Sequence, residues 1–102
     1  MSDIHNEAGV KREVRKLLAK HGWFGWMPPA NGYGKAGISD FHALKDGKFL
    51  AIETKYGGNT PTPMQTKFLQ DISKNGGTAF VIYETDLDTF GMLLETLQES
   101  FR

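Results

Sequence analysis

Residues 37–55 read GISDFHALKDGKFLAIETK, and this stretch decides the fold. At its centre stands Asp46-Gly47, a turn dipeptide between two apolar runs rich in residues that are typical of strands. Asp-Gly in such a setting is a strong local signal for a β-hairpin with a two-residue loop. The stretch therefore predicts an antiparallel pair of strands over about Ile38–Leu44 and Lys48–Lys55.

The loop also fixes the register of this hairpin. With the dipeptide as the loop, Lys45 faces Lys48, and the residue numbers of every facing pair sum to 93. Asp40 and Glu53 satisfy that sum, so we expect their carboxylates to face each other, with Cβ atoms about 4.5–5.5 Å apart. Because side chains alternate between the two faces of a strand, Lys55 points to the same side as Glu53.

Two facing carboxylates destabilise a sheet unless something neutralises them. A divalent cation is the obvious candidate, since hard cations bind carboxylate oxygens. Two carboxylates and a lysine on one sheet face therefore predict the site of a metal-dependent hydrolase.

The composition is typical of a small intracellular domain. The chain has 102 residues, 39% of them hydrophobic, which is enough to bury one core. Cysteine is absent, which excludes a disulfide framework, a thiolate nucleophile and cysteine-ligated zinc. We see no signal peptide and no apolar run long enough to span a membrane, so we expect a cytoplasmic protein. The 12 basic and 12 acidic residues give no basic excess, which argues mildly against nucleic-acid binding.

Hydrophobic periodicity and turn residues predict the elements around the hairpin. We expect a helix over Ile4–Lys20, a short strand over Trp23–Met27 followed by a mobile loop to Lys35, a helix over Pro63–Asn75, a buried strand over Thr78–Tyr83, and a helix over Leu87–Phe101. A strand, a helix and a second strand in series imply a right-handed crossover and a parallel pair. The prediction is an α/β fold whose small mixed sheet is antiparallel at the hairpin, parallel beyond it, and flanked by helices.

In this order of elements, three motifs resemble the virus-type replication–repair nuclease (VRR-NUC) family of the PD-(D/E)XK nuclease superfamily: Gly37-Ile38-Ser39-Asp40, Glu53-Thr54-Lys55 and Gln65. The resemblance runs from Glu7 to about Tyr83, and its motifs are specific as a set rather than singly. Ser39 stands where the superfamily often has a proline that is not a ligand.

The resemblance implies a restriction-endonuclease-like α–β–β–β–α–β core, with residues 1–102 forming a single nuclease domain of the stand-alone phage or bacterial type. It implies an endonuclease that uses Mg²⁺ or Mn²⁺ to cut DNA phosphodiester bonds, often at Holliday-like junctions, flaps or forks, in replication, repair or recombination. The stand-alone form further implies a homodimer, for which Trp23, Phe24, Trp26, Met27, Met92 and Leu93 offer apolar interface material.

The resemblance also implies roles for the matched residues. Asp40, Glu53 and the Thr54 carbonyl would hold the metal ion, and Lys55 would orient the attacking water or stabilise the transition state. Each residue alone has an ordinary alternative: Asp40 could cap a turn, Glu53 could pair with Lys55, and Lys55 could be a solvated charge. His42 shares a face with Asp40 and is expected to be a partly buried strand histidine.

Two further residues keep two interpretations each. Glu7 continues the buried stripe of the first helix, and a glutamate there is an accessory metal ligand in this fold, yet an ion pair with Lys11 is equally economical. Gln65 fits a capping box with Thr62 as the N-cap, while the family also carries a glutamine near the site.

The first helix also carries a basic cluster, for which phosphate contact and a solvated surface are the two interpretations. Its members assigned here to DNA binding are Lys11, Arg12, Arg15 and Lys16. Two other classes of function compete with a nuclease. They are a nucleic-acid-binding module that kept the fold without cleaving, and a small structural α/β protein.

Overall fold

Three α-helices and a four-stranded sheet follow one another in the computed structural model, which describes residues 4–29 and 37–99. They are α1 (Glu7–Lys20), β1 (Phe24–Trp26), β2 (Phe41–Lys45), β3 (Lys48–Thr54), α2 (Pro63–Lys74), β4 (Thr78–Ile82), a 3-10 turn (Glu84–Asp86) and α3 (Leu87–Glu99). The predicted α/β class and the order α–β–β–β–α–β–α of a restriction-endonuclease-like core are confirmed.

The hairpin forms in the predicted register. Lys45 faces Lys48 at the loop, and Phe41 faces Ile52 at the far end of the ladder. Asp46 and Gly47 have φ angles of 49° and 80°, the left-handed values that a tight two-residue hairpin turn requires and that Asp-Gly tolerates. The turn chemistry therefore sets which residues of β2 and β3 face each other.

The sheet is mixed, with strands in the order β1-β2-β3-β4. The pairs β1–β2 and β2–β3 are antiparallel, whereas β3 and β4 are parallel and are joined through α2. Both the parallel pair and the helical crossover agree with the sequence prediction.

The first helix starts three residues later than predicted. Asn6 has an extended backbone, and its side-chain oxygen accepts a hydrogen bond from the Gly9 N–H at 2.9 Å, so Asn6 is the N-cap and Glu7 the first helical residue. The helix ends as predicted, with His21 as its C-cap and Gly22 at a φ angle of 76°.

The main core lies between α1, α3 and one face of the sheet. Its buried side chains are Val10, Val14, Leu18, Trp23, Phe41, Ala43, Leu50, Ile52, Ile82, Phe90 and Leu94. The opposite face of the sheet carries α2, whose Leu69 is buried.

Some predicted segments lie outside the described residues, namely positions 30–35 of the loop and Phe101 at the end of the last helix. Within the described ranges, none of the helices combines the length and the apolarity that a membrane span requires.

Candidate active site

Asp40 and Glu53 meet at the end of the hairpin away from its loop. Asp40 immediately precedes β2, Glu53 lies near the end of β3, and the next pair along the ladder is Phe41 and Ile52. The Asp40 backbone lies close enough to the Glu53 carboxyl group to lower its pKa. Only 1% of Glu53 is exposed. The structure thus brings together the two acids that the register predicted.

Thr54 holds the Asp40 carboxylate in place. Asp40 Oδ2 accepts two hydrogen bonds from it, one from the backbone N–H at 2.8 Å and one from the hydroxyl at 2.7 Å. Thr54 is fully buried, so both donors would lose hydrogen bonds if Asp40 moved away. The sequence predicted a role for the Thr54 carbonyl, but it did not predict the two hydrogen bonds that the Thr54 N–H and hydroxyl donate.

A glycine brings the segment before Asp40 against α2. Gly37 has a φ angle of 77°, and a Cβ atom there would lie 2.3 Å from the Met64 carbonyl oxygen and 2.8 Å from the Gln65 nitrogen. No side chain fits at that separation. The first turn of α2 is therefore in direct contact with the chain that leads into the site.

Two lysines reach the acids from different elements. Lys55 Nζ lies 3.3 Å from Glu53 Oε2, on the face that strand alternation predicted. Lys11 Nζ, on α1, lies 3.6 Å from Asp40 Oδ1 and 3.6 Å from Glu7 Oε2. Lys11 was expected among the DNA-contacting residues, and the structure instead places its ammonium at the carboxylates.

Burial dominates the electrostatics of Glu53. The pKa of its carboxyl group is raised from 4.5 to about 7: removal from water is the largest cause and the neighbouring charge of Asp40 adds to it, whereas Lys55 and the Asp40 backbone partly oppose the rise. One of its oxygens, Oε1, has no hydrogen-bond partner among the described residues. A buried carboxylate with an oxygen that accepts no hydrogen bond would be stabilised by a further positive charge or donor.

These features fit a divalent cation. Asp40 and Glu53 supply oxygen donors, Glu53 Oε1 is an acceptor without a partner, and Mg²⁺ is usually held by one or two carboxylates together with water and phosphate oxygens. Over the residues that the structure describes, no three His, Cys, Asp or Glu side chains form a metal-binding group. Asp40 and Glu53 are the two carboxylates at this site that would hold the cation.

Glu7 and Gln65 both adopt the structural roles that were weighed for them. Glu7 forms the ion pair with Lys11, four residues along α1, and the same ammonium also lies near Asp40. The backbone N–H of Gln65 donates to the Thr62 hydroxyl, and its side-chain oxygen accepts from the Thr62 N–H, which completes the capping box. Their roles as metal ligand and site glutamine stay predictions.

Three other basic residues of α1, Arg12, Arg15 and Lys16, contact groups other than the two acids. Arg12 and Lys16 both lie within 3.6 Å of Glu13 Oε2, at 3.6 and 3.5 Å, and remain largely exposed. The exposed Arg15 guanidinium contacts the Met27 sulfur at 2.9 Å. All three are exposed side chains of the helix whose Lys11 lies near Asp40.

An aromatic cluster of Trp26, His42, Phe49 and Phe68 covers the same sheet face nearer the hairpin loop. The His42 ring stacks on Phe68, with centroids 5.8 Å apart and planes 16° apart, and it packs against Trp26 and Phe49. Burial lowers the pKa of His42, and its Nε2 has no hydrogen-bond partner within the described ranges. His42 is therefore a partly buried strand histidine among aromatic rings, as expected.

Comparison with known proteins gives no match: neither a family model nor a curated protein corresponds to this chain. The VRR-NUC resemblance therefore stays a prediction from the motifs.

Proposed function

We propose that this protein is a metal-dependent DNA endonuclease that hydrolyses phosphodiester bonds, with branched DNA as its preferred substrate. One observation carries the proposal: Asp40 and the buried Glu53 converge, and Glu53 Oε1 has no hydrogen-bond partner in the part of the chain that the structure describes. Keeping a raised-pKa carboxylate beside a second carboxylate costs stability, and such perturbed pairs cluster at functional sites.

In this proposal Asp40 and Glu53 hold Mg²⁺ or Mn²⁺, with the Thr54 carbonyl as a further predicted ligand. When bound, the cation supplies positive charge that polarises a phosphoryl oxygen and lowers the pKa of water. Thr54 keeps Asp40 Oδ2 fixed through two hydrogen bonds and thereby orients the other oxygen, Oδ1. Lys55, whose side chain is 11% exposed, keeps an ammonium at Glu53 where it can stabilise negative charge on the reacting phosphate.

DNA binding is assigned to the basic residues of α1. Arg12, Arg15 and Lys16 are exposed on the helix whose Lys11 contacts Asp40. Phosphate contacts of this kind position a duplex without reading its sequence, which suits an enzyme that recognises DNA structure.

We also propose a homodimer, because a two-fold protein is the simplest reader of a two-fold junction. Trp23 is buried and is not available for an interface. Exposed apolar side chains remain on β1 and just after it, on β2 and on α3: Phe24, Trp26, Met27, Leu44 and Met92. Light scattering at micromolar concentration tests the dimer, and a monomer mass would exclude it.

Cleavage assays with end-labelled DNA test the central proposal. A junction, a flap, a fork and a linear duplex are incubated with Mg²⁺, Mn²⁺ or EDTA, and we expect metal-dependent nicking that favours a branched substrate. Thermal unfolding with and without Mn²⁺ runs in parallel, since a cation that binds the folded state alone raises the midpoint. DNA binding without cleavage in either metal would indicate a binding module instead, and no binding of DNA or metal would indicate a structural protein.

A further inference from the structure

Lys11 occupies the place at which a cation would meet Asp40. The Asp40 oxygen Oδ2 is taken up by the two hydrogen bonds from Thr54, so Oδ1 is the oxygen that remains for a ligand. Lys11 Nζ lies 3.6 Å from that oxygen. On the other acid, Lys55 contacts Oε2 and leaves Oε1 without a partner.

Lys11 is held there loosely enough to leave. Its side chain is 31% exposed, and the contacts to Asp40 and Glu7 are both 3.6 Å long, which is long for a charge-assisted hydrogen bond. Lysine has a flexible four-carbon stem whose ammonium can move between partners. A divalent cation at Asp40 Oδ1 would repel the ammonium and take over its neutralising role.

We propose that Lys11 is an exchangeable counter-ion: it neutralises Asp40 in the metal-free protein, leaves when a divalent cation binds, and then contacts a DNA phosphate. This inference rests on the proposed metal-dependent nuclease function. Glu7 shares the ammonium in the metal-free state and retains it near the site, so Glu7 positions Lys11 and is not itself a ligand. Lys11 and Arg15 are four residues apart and neighbours on α1, which extends the phosphate-binding surface to the edge of the site.

Two consequences follow from the exchange. Lys11 competes with the cation, so removing its charge should strengthen metal binding. Lys11 is withheld from DNA until the metal is bound, so its contribution to the salt dependence of DNA binding should appear only with metal.

Calorimetric titration with Mn²⁺ alone tests the first consequence. We expect Lys11→Met to bind Mn²⁺ about tenfold more tightly than the wild type, because one positive charge beside the ion is lost. Lys11→Arg keeps the charge and should stay near the wild-type affinity. Lys16→Met, on the same helix but paired with Glu13, is the matched control for charge and should leave the Mn²⁺ affinity at the wild-type value. If Lys11→Met fails to fold by circular dichroism, Lys11→Gln replaces it.

Fluorescence anisotropy with a labelled forked DNA tests the second consequence, with Ca²⁺ or EDTA in the buffer. In Ca²⁺, Lys11→Met should lower the slope of log affinity against log salt by about 0.9, the value of one phosphate contact. In EDTA the slope should not change. Lys16→Met should lower the slope equally in both buffers.

The outcomes separate the inference from the proposed function. Unchanged or weaker Mn²⁺ binding by Lys11→Met, beside Asp40-dependent binding by the wild type, overturns the counter-ion inference and leaves the nuclease proposal standing. A loss of slope that is equal in Ca²⁺ and EDTA shows Lys11 to be an ordinary docking residue and also overturns the inference. A wild type that binds no Mn²⁺ and cleaves no DNA overturns both.

Discussion

Two clusters on one face of the sheet each contain a titratable side chain removed from water, Glu53 in one and His42 in the other, and the two side chains have different neighbours. In the acid cluster, which consists of Asp40, Glu53 and the ammonium groups of Lys11 and Lys55, every lysine lies within 3.6 Å of a carboxylate. In the aromatic cluster, His42 packs against the rings of Trp26, Phe49 and Phe68. His42 faces Ala51, two residues before Glu53 on β3. The contrast therefore arises within a few residues of two paired strands.

Burial acts in the same sense on both groups but with different results. It raises the pKa of Glu53 to about 7 and lowers the pKa of His42, because in each case it disfavours the charged form. Lys55 opposes the rise in the pKa of Glu53, so the charged form of Glu53 stays accessible near neutral pH. For His42, burial is the cause of the lowered pKa, and no opposing charge is found among the described residues. Burial without a charged neighbour disfavours the charged form of His42, whereas burial beside Asp40 and Lys55 leaves Glu53 with a pKa near neutral pH.

The largest expected effect is loss of cleavage in Asp40→Asn. The amide keeps an oxygen that can accept from Thr54 but removes the negative charge, so we expect activity to fall on the order of 10³-fold or more while the fold persists. Steady-state cleavage of a labelled junction in Mn²⁺ measures it. Asp71→Asn is the control, since Asp71 pairs with Lys67 at 3.1 Å outside both clusters. Near-normal activity in Asp40→Asn would show that the acid cluster is not the site of cleavage.

Lys55→Met should lower turnover by about 100-fold and change DNA affinity little, because its charge acts on the reacting phosphate. Single-turnover cleavage at saturating DNA and anisotropy in Ca²⁺ measure the two quantities separately. Arg15→Glu, outside the acid cluster, should do the reverse by weakening affinity and flattening its salt dependence while leaving saturated turnover intact. If the two variants exchanged these behaviours, Lys55 would be the docking residue.

Glu53→Gln should change how stability depends on pH. In the wild type the folded state holds this proton more tightly than the unfolded chain, so the contribution of Glu53 is fully present below pH 4.5 and is lost as the pH rises to about 7. Gln removes that loss, which amounts to about 3 kcal/mol at most. Urea unfolding in EDTA at pH 5 and pH 8 measures it. Equal pH dependence in the two proteins would mean that Glu53 carries no such penalty.

The smallest effect is expected in the aromatic cluster. Since His42 Nε2 is buried without a partner, His42→Phe should raise the free energy of unfolding by about 1 kcal/mol. The depressed pKa of His42 gives a stability contribution that is present above pH 6.5 and lost as the pH falls, the opposite sign to Glu53, and the variant should lose it. The same urea series detects both changes. Lower stability in His42→Phe would reveal a polar role for the ring.

The fold could be predicted where local chemistry determines geometry. Asp46-Gly47 demands a specific turn, the turn fixes the register, and the register places Asp40 beside Glu53. The start of the helix at Pro63 could also be predicted, because Thr62 and Gln65 form a capping box that depends only on neighbours in sequence.

The contacts that sequence reasoning missed join distant elements. Lys11 is one of several cations on α1, and only the packing of that helix against the sheet decides which of them reaches Asp40. The register pairs Asp40 with Glu53, but the Asp40 side chain reaches one residue further along the strand. There its carboxylate accepts a hydrogen bond from the Thr54 hydroxyl. An alternation rule assigns a residue to a face of the sheet, but it does not give the reach of a side chain at the strand end.

The close approach of Gly37 to α2 changes how the stretch from Gly37 to Asp40 should be used as a search pattern. Its two ends carry information of different kinds. Asp40 stands for a chemical requirement, whereas Gly37 stands for a steric one, since a Cβ atom would overlap the Met64 carbonyl. A chain that keeps the glycine and replaces the acid would preserve this architecture without the activity proposed here, so the two positions should be scored separately when motifs of this kind are used to assign function.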